Sequence, residues 1–471
     1  MTLNSPLFFL FLFIVVFINY FISKSLRATL LVAASFLFIG YYNIESLITL
    51  VVFSLLNFFL AKKVIANRSL YVLALFLNIS AILLFNYFSK ITNGLGVSIS
   101  GFQFSFTHFF IALGLSFYSL QNIAYITEVR FKRIQSESSL INYLLYCSFF
   151  PKVISGPVML PNEFLPRISS VTITKSDLII GFKRLLLGLF KKIVIADRLV
   201  AAVSSVFDFN SDYAGITTIT AAYLFTIQMY FDFSGYTDMA MGAAKMLGFE
   251  LKENFDTPLR SSSVTEFWRR WHISLIAWFT KYIYYPLVYR LRDYKKYAAL
   301  AGIAVTFILS GLWHRIGFTF ICWALCHVFY LSFELLTKRS RLNLSEKFNN
   351  IFYKSFTVFL VFNAVCFSNI FFRAESVEKA IHLIKNSCTH FIPADWLSGY
   401  IAPLAVGGHQ VDEFNFFTSI FIALFVLLFE KKINRLALKE NYSILYVVLI
   451  MLLIMVFGIF NSGTRFIYMQ F

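Results

Sequence analysis

YFDFSGYTDMAMGAAKMLGF (230–249), ENFDTPLRSSSVTEFWRRWHIS (253–274) and LSGLWHR (309–315) set the pattern of this chain. Apolar runs surround them, yet these segments place Asp232, Asp238, Glu253, Asn254, Asp256, Glu266, Arg269, Arg270, His272 and His314 among aromatic and small residues. Ionisable side chains at membrane depth are costly and persist where they pair with one another or serve a site. The cluster is therefore the first candidate for a functional centre, and the remainder reads as scaffold around it.

Outward from the cluster the chain is strongly apolar. Of its 471 residues, 59% are hydrophobic and 14% charged, with 59 phenylalanines; soluble proteins carry about 25% charged residues. Many uncharged runs reach the roughly 17–25 residues that cross a bilayer, which predicts an all-α polytopic membrane protein solvated by lipid. The net charge of +17 follows the positive-inside rule, because Lys and Arg recur between apolar runs. A nucleic-acid partner is not expected, although a basic cytoplasmic mouth would favour an anionic donor such as a coenzyme phosphate. The five cysteines form no disulfide framework. Cys322, Cys326 and His327 superficially suggest a metal site, but a CxxC pair and a fourth ligand are lacking, and buried apolar thiols are the expected reading.

Loop charges order the spans. Leu7–Ile22 has no basic residue before it and Lys24 and Arg27 after it, so it reads as a retained helix with an outside N-terminus. Ala28–Asn43, Leu47–Ala61, Leu70–Phe88 and His108–Ile126 follow, and their loops alternate in charge without violating the rule. Near the other end, Phe318–Leu336, Ile351–Phe371, Phe416–Phe429 and Ile444–Phe460 do the same, placing both termini outside and 373–413 in an external segment. His382, His390 and His409 fall in that segment and are expected to be solvated, while His108 has no polar setting of its own.

The middle is less regular. Pro151, Pro157, Pro161 and Pro166 break one region, and Lys183, Arg184, Lys191 and Lys192 interrupt another. Irregular backbone at membrane depth survives only where protein or a water-filled cavity shelters it, which predicts a cavity or tunnel there. His314, after Ser310-Gly311-Leu312-Trp313, is either a general base in a sheltered site or a core histidine bonded between helices. His272 sits beside Trp268, Arg269, Arg270 and Trp271, residues that suit an interfacial belt or an anion-binding mouth. Glu266 and Arg270 are spaced to pair along one helix face. Asp232 and Asp238 flank Ser234-Gly235-Tyr236 and read as pins of a helix break, pairing with Arg269 or Lys245, rather than as a two-carboxylate site. Asn254, shortly before Pro258, is placed to cap a helix or to orient a substrate carbonyl.

Taken together, these segments resemble the membrane-bound O-acyltransferase family, in particular its bacterial alginate O-acetylation branch. ALGLSFYSLQNIAYITEV (112–129), SFFPKVISGPV (148–158), LSGLWHRIGFTFICWALCH (309–327), FFRAES (371–376) and FIYMQF (466–471) extend the likeness over nearly the whole chain. The resemblance implies one integral membrane domain over 1–471, with N-terminal helices at 1–135, a catalytic core at 140–335 and C-terminal helices at 336–471. It further implies a ring of roughly 10–13 tilted transmembrane helices with re-entrant segments around a central tunnel, in a bacterial cytoplasmic membrane. His314 and His272 then take the family's two catalytic polar positions, with Asn254, Arg269, Arg270, Trp313, Asp232 and Asp238 lining the tunnel or binding substrate. The implied reaction moves an acetyl group from acetyl-CoA, a substrate rather than a bound cofactor, to a cell-envelope polysaccharide with an extracytoplasmic partner transferase. No metal is implied. Arg315 departs from the small residue that commonly follows the histidine. The alternatives are D-alanyl transfer from a carrier protein to teichoic acid, a flippase or transporter of an envelope precursor, and a scaffold for an export complex.

Overall fold

The computed structural model describes residues 1–91, 97–99, 102–104, 112–209, 215–348, 350–389, 413–439 and 443–460. His108, His390, His409 and the terminal FIYMQF lie outside these residues. The fold is all-α, with one short antiparallel hairpin pairing Val97–Ile99 with Phe102–Phe104. Lys24–Tyr42, Ile44–Ala61, Lys296–His314, Phe318–Leu336 and Ile351–Arg373 are helices long and apolar enough to cross a membrane. Large apolar side chains face outward along them, such as Phe329 at 66% and Phe352 at 82% exposed, as expected where the solvent is hydrocarbon. The expected span ends agree with the helices to within a few residues at Pro6–Phe21, Arg68–Ile91 and Ser443–Phe457.

The chain forms two compact units, Met1–Leu185 with Tyr236–Lys252, and Leu186–Gly235 with Glu253–Phe471. In the first, polar residues knit apolar helices together. Asn43 accepts from the Ser46 amide at 2.7 Å and so starts the Ile44–Ala61 helix. Asn78 donates to Asn57 at 2.7 Å between two buried helix faces. Gly181 and Gly242 let the Lys175–Phe190 and Ile216–Met246 helices touch backbone to backbone, since a Cβ on Gly242 would lie 2.5 Å from the Gly181 carbonyl. The proline-broken stretch folds around Lys152, whose ammonium is fully buried and bonds Gln121 Oε1 at 2.7 Å and the Tyr146 carbonyl at 2.5 Å. Asp238 pairs with Arg184 at 3.0 Å, and Lys245 with Asp177 at 3.1 Å, so the expected Asp238 partners are corrected.

The second unit carries the other charges of the interrupted region. Lys191–Ala196 is a π-helical turn leading into the Asp197–Phe209 helix. In an α-helix, residues i and i+5 point to different faces. The wider π turn brings them together, and the Asp197 amide bonds the Lys192 carbonyl. Lys192 thereby reaches Asp197 at 2.8 Å and Asp232 at 2.6 Å, all three almost completely buried. Lys191 pairs with Glu430 at 3.4 Å, and Glu430 also accepts from the Tyr230 hydroxyl. The helix break is thus not at Asp232, which sits within the continuous Ile216–Met246 helix, but opposite it.

Candidate active site

Asn254 to Thr257 runs beside Arg270 to Ile273 as a short extended pair. Phe255 bridges Trp271, the Asp256 amide donates to the Arg270 carbonyl at 3.0 Å, and the Ile273 amide donates to the Asn254 carbonyl at 3.0 Å. The Val264–Arg270 helix that precedes it is held at its N-terminus by the buried Glu334 carboxylate, which accepts from the Val264 and Thr265 amides at 2.6 and 2.9 Å. His272 then takes a left-handed backbone, φ 45° and ψ 50°, before the Ile273–Phe279 helix. A non-glycine residue there costs about 1–3 kcal/mol and is kept when its surroundings over-determine it.

The overdetermining residue is Asn254. Its Oδ1 accepts from the Ser274 amide at 3.1 Å and the Ser274 hydroxyl at 2.9 Å, capping the Ile273–Phe279 helix. His272 Nδ1 lies 3.2 Å from that same oxygen and can bond it only as a donor. The proton is therefore on Nδ1 and the lone pair on Nε2. Asn254 thereby fixes the His272 ring and its tautomer. Replacing it with alanine strands three buried donors, at about 1–3 kcal/mol, and releases the tautomer. Should His272 serve a reaction in this site, a roughly tenfold or larger loss of kcat with little change in KM is expected, restored in part by Asn254→Asp, which keeps the acceptor.

His272 and His314 line one buried cavity with Trp268, Trp271, His327 and Asn369. His314, at the end of the Lys296–His314 helix, is walled by Trp313 at 4.8 Å, Phe372 at 5.3 Å and Trp323 at 5.7 Å between ring centroids. Phe233 meets His272 edge-on at 4.8 Å. Gly311 lets the next helix approach closely, since a Cβ there would lie 2.7 Å from the Phe320 carbonyl. The cavity measures about 20 Å³, room for about one water.

His327 and Asn369 were not among the expected site residues. His327 Nδ1 accepts from Trp268 Nε1 at 3.2 Å, so Nε2 carries its proton toward Ser368 Oγ at 3.1 Å, and Ser368 donates onward to the Val365 carbonyl at 2.8 Å. Both ring nitrogens are thus taken up in holding Trp268 and Ser368. Thr226 donates to the Ala222 carbonyl at 3.0 Å, so its oxygen accepts from Asn369 Nδ2 at 3.1 Å and the Asn369 amide is fixed with Oδ1 as the remaining acceptor. The Asn369 signal in the sequence was an amide in an apolar run just before FFRAES, which spacing alone does not single out.

The other expected site residues lie elsewhere. Arg270 pairs with Glu266 at 2.6 Å, as its helical spacing predicts. Arg269 is exposed, and neither arginine is among the cavity-lining residues. Asp232 pairs with Lys192 and Asp238 with Arg184. Trp313 contacts both histidines, at 6.5 Å from His272. Arg315 is exposed, and Glu375 pairs with Lys379, which holds its carboxyl below the usual range with smaller help from Arg373 and Arg315.

A narrow aromatic cavity lined by three histidines on a membrane-spanning helical scaffold fits a known class. The profile described as MBOAT, membrane-bound O-acyltransferase family, matches residues 38–374. The chain belongs to that family. It is 33% identical over 340 residues to the "Probable alginate O-acetylase AlgI" of Pseudomonas aeruginosa, covering 69% of this chain and 64% of that protein. It is 29% identical over 422 residues to the "Peptidoglycan O-acetyltransferase" of Helicobacter pylori, covering 81% and 79%. The "Teichoic acid D-alanyltransferase" of Bacillus subtilis is 26% identical over 272 residues, covering 54% and 67%. The chain therefore spans less than two thirds of the first relative's length.

Proposed function

We propose that the protein is a membrane O-acyltransferase that draws acetyl groups from cytoplasmic acetyl-CoA for O-acetylation of an envelope or secreted polysaccharide. The observation that carries this reading is the shared cavity of His272 and His314, with the His272 tautomer set by Asn254. In the proposed step an acceptor hydroxyl attacks the thioester carbonyl. His314 takes the hydroxyl proton as the O–C bond forms, the C–S bond breaks, and the proton passes to the departing thiolate. No enzyme nucleophile is needed. His272, with its Nδ1 proton committed to Asn254, offers a lone pair that orients a hydroxyl or amide N–H of substrate. It does not supply a proton to polarise the carbonyl.

Delivery to the final glycan is assigned to an extracytoplasmic partner transferase, and the membrane to the bacterial cytoplasmic one. Acetyl is preferred over D-alanyl because the likeness to the acetylating relatives is longer and higher in identity. The test is release of free thiol from acetyl-CoA by the purified protein in vesicles, with envelope extract supplying acceptors. Acetyl-dependent release supports the reading. Release only from a D-alanyl carrier-protein thioester transfers it to the second reading, and movement of an envelope precursor without thioester consumption points to a flippase.

A further inference from the structure

The Ile351–Arg373 helix also borders a second cavity, on a different face from Val365, Asn369 and Phe372. Its volume is about 230 Å³, against about 20 Å³ at the histidines. Phe207, Ile219, Ala222, Phe367, Ile370 and Leu383 give it apolar walls. Its polar wall residues have their bonding directed into the protein. Thr218 donates to the Gly215 carbonyl at 2.8 Å, Ser387 to the Ile384 carbonyl at 2.7 Å, and Asn363 to the Phe359 carbonyl at 2.8 Å. The Tyr223 hydroxyl donates to Asn363 Oδ1. The lining therefore gives little purchase to a sugar, a phosphate or a cluster of waters, and an apolar cavity of this kind takes an apolar guest.

Depth narrows the guest further. Asn363 to Ile370 lie roughly 5–15 Å along the helix axis before its end at Arg373, within the hydrocarbon of one leaflet if Arg373 marks the interface. Arg373 is held at that end by Asp208 at 2.7 Å and lies 5.5 Å above the Phe207 ring, so a charged rim tops an apolar hole. Phe367 at the lip is 42% exposed, whereas Phe207, Ala222 and Leu383 are 3%, 4% and 3% exposed. We propose that this cavity binds one acyl chain of a bilayer phospholipid, taken up past Phe367. A resident chain would brace the same helix that carries Asn369 and Phe372 to the histidine cavity.

The test needs no turnover, so its outcome is independent of the transferase reading. The full chain is placed in phosphatidylethanolamine–phosphatidylglycerol vesicles with a trace of phosphatidylcholine bearing a diazirine in one acyl chain, irradiated, and mapped by mass spectrometry. Label is expected at Ala222, Phe207 and Leu383, which bulk lipid does not reach, as well as at exposed Phe352. Ala222→Trp and, separately, Leu383→Trp fill the cavity. Each should cut label at the remaining buried positions by about tenfold or more, with Phe352 label and monodisperse elution unchanged as the control for folding. Absence of label at the buried positions, or equal label in parent and both variants, overturns the proposal. So does displacement of the phospholipid label by a trace of a polyprenyl phosphate, which would make the guest a lipid-linked substrate.

Discussion

His314→Ala is expected to lower thiol release from acetyl-CoA by roughly 10²–10⁴-fold, the range over which a positioned proton acceptor acts. The loss should fall on kcat, because His314 is buried against Trp313, Trp323 and Phe372 and its proposed task arises only as the hydroxyl proton moves. His314→Gln keeps polarity and approximate size without a basic nitrogen, and so should not restore the rate. Residues acting as a unit are not additive, so His272→Ala with His314→Ala should be hardly slower than His314→Ala alone. The measurement is single-turnover thiol release in vesicles, with thermal melting as the check on folding. Near-parental release by His314→Ala, with a large loss in His272→Ala, would exchange the two roles. His272 Nε2, which already carries a defined lone pair, would then be the base.

Lys192→Met is expected to lower stability strongly. It removes an ammonium that bridges the buried Asp197 and Asp232 carboxylates. Breaking a buried ion pair from one side costs about 3–5 kcal/mol, because the partner charge is left without compensation. A large fall in Tm, or failure to purify as a monodisperse species, is the expected result. Adding Asp197→Asn and Asp232→Asn removes the stranded charges and should recover most of the loss. A Lys192→Met protein that melts with the parent would show that the network contributes little to the folded state.

The spans were readable because their signal is local: an uncharged run of sufficient length needs no knowledge of its neighbours. The Glu266–Arg270 pair was readable for the same reason, its partners being one helical turn apart. Partners distant in sequence were not. Asp232 was expected to meet Arg269 or Lys245 and meets Lys192, and Asp238 meets Arg184. Asn254 could be seen as a cap or an orienting group, and it is a cap that also orients a histidine, since Ser274 and His272 converge on one oxygen. Asn369 escaped notice because its importance lies in Thr226, a residue on another helix that fixes its amide. His327 is both a cavity wall and the hydrogen-bond partner of Trp268, a pairing between helices distant in sequence.

The π turn at Lys191–Ala196 makes this part of the chain sensitive to length as well as to composition. A residue lost from a surface loop shortens a tether and little else. A residue lost from this turn would return it to α-helical winding and swing every following side chain by about 100°. Asp197 would leave Lys192, and Arg198, which donates to the Phe457 carbonyl at 2.6 Å, would leave its own partner. A single in-frame codon deletion there would dismantle the network at once. The extra residue works as a spacer, and the phase of the Asp197–Phe209 helix depends on it.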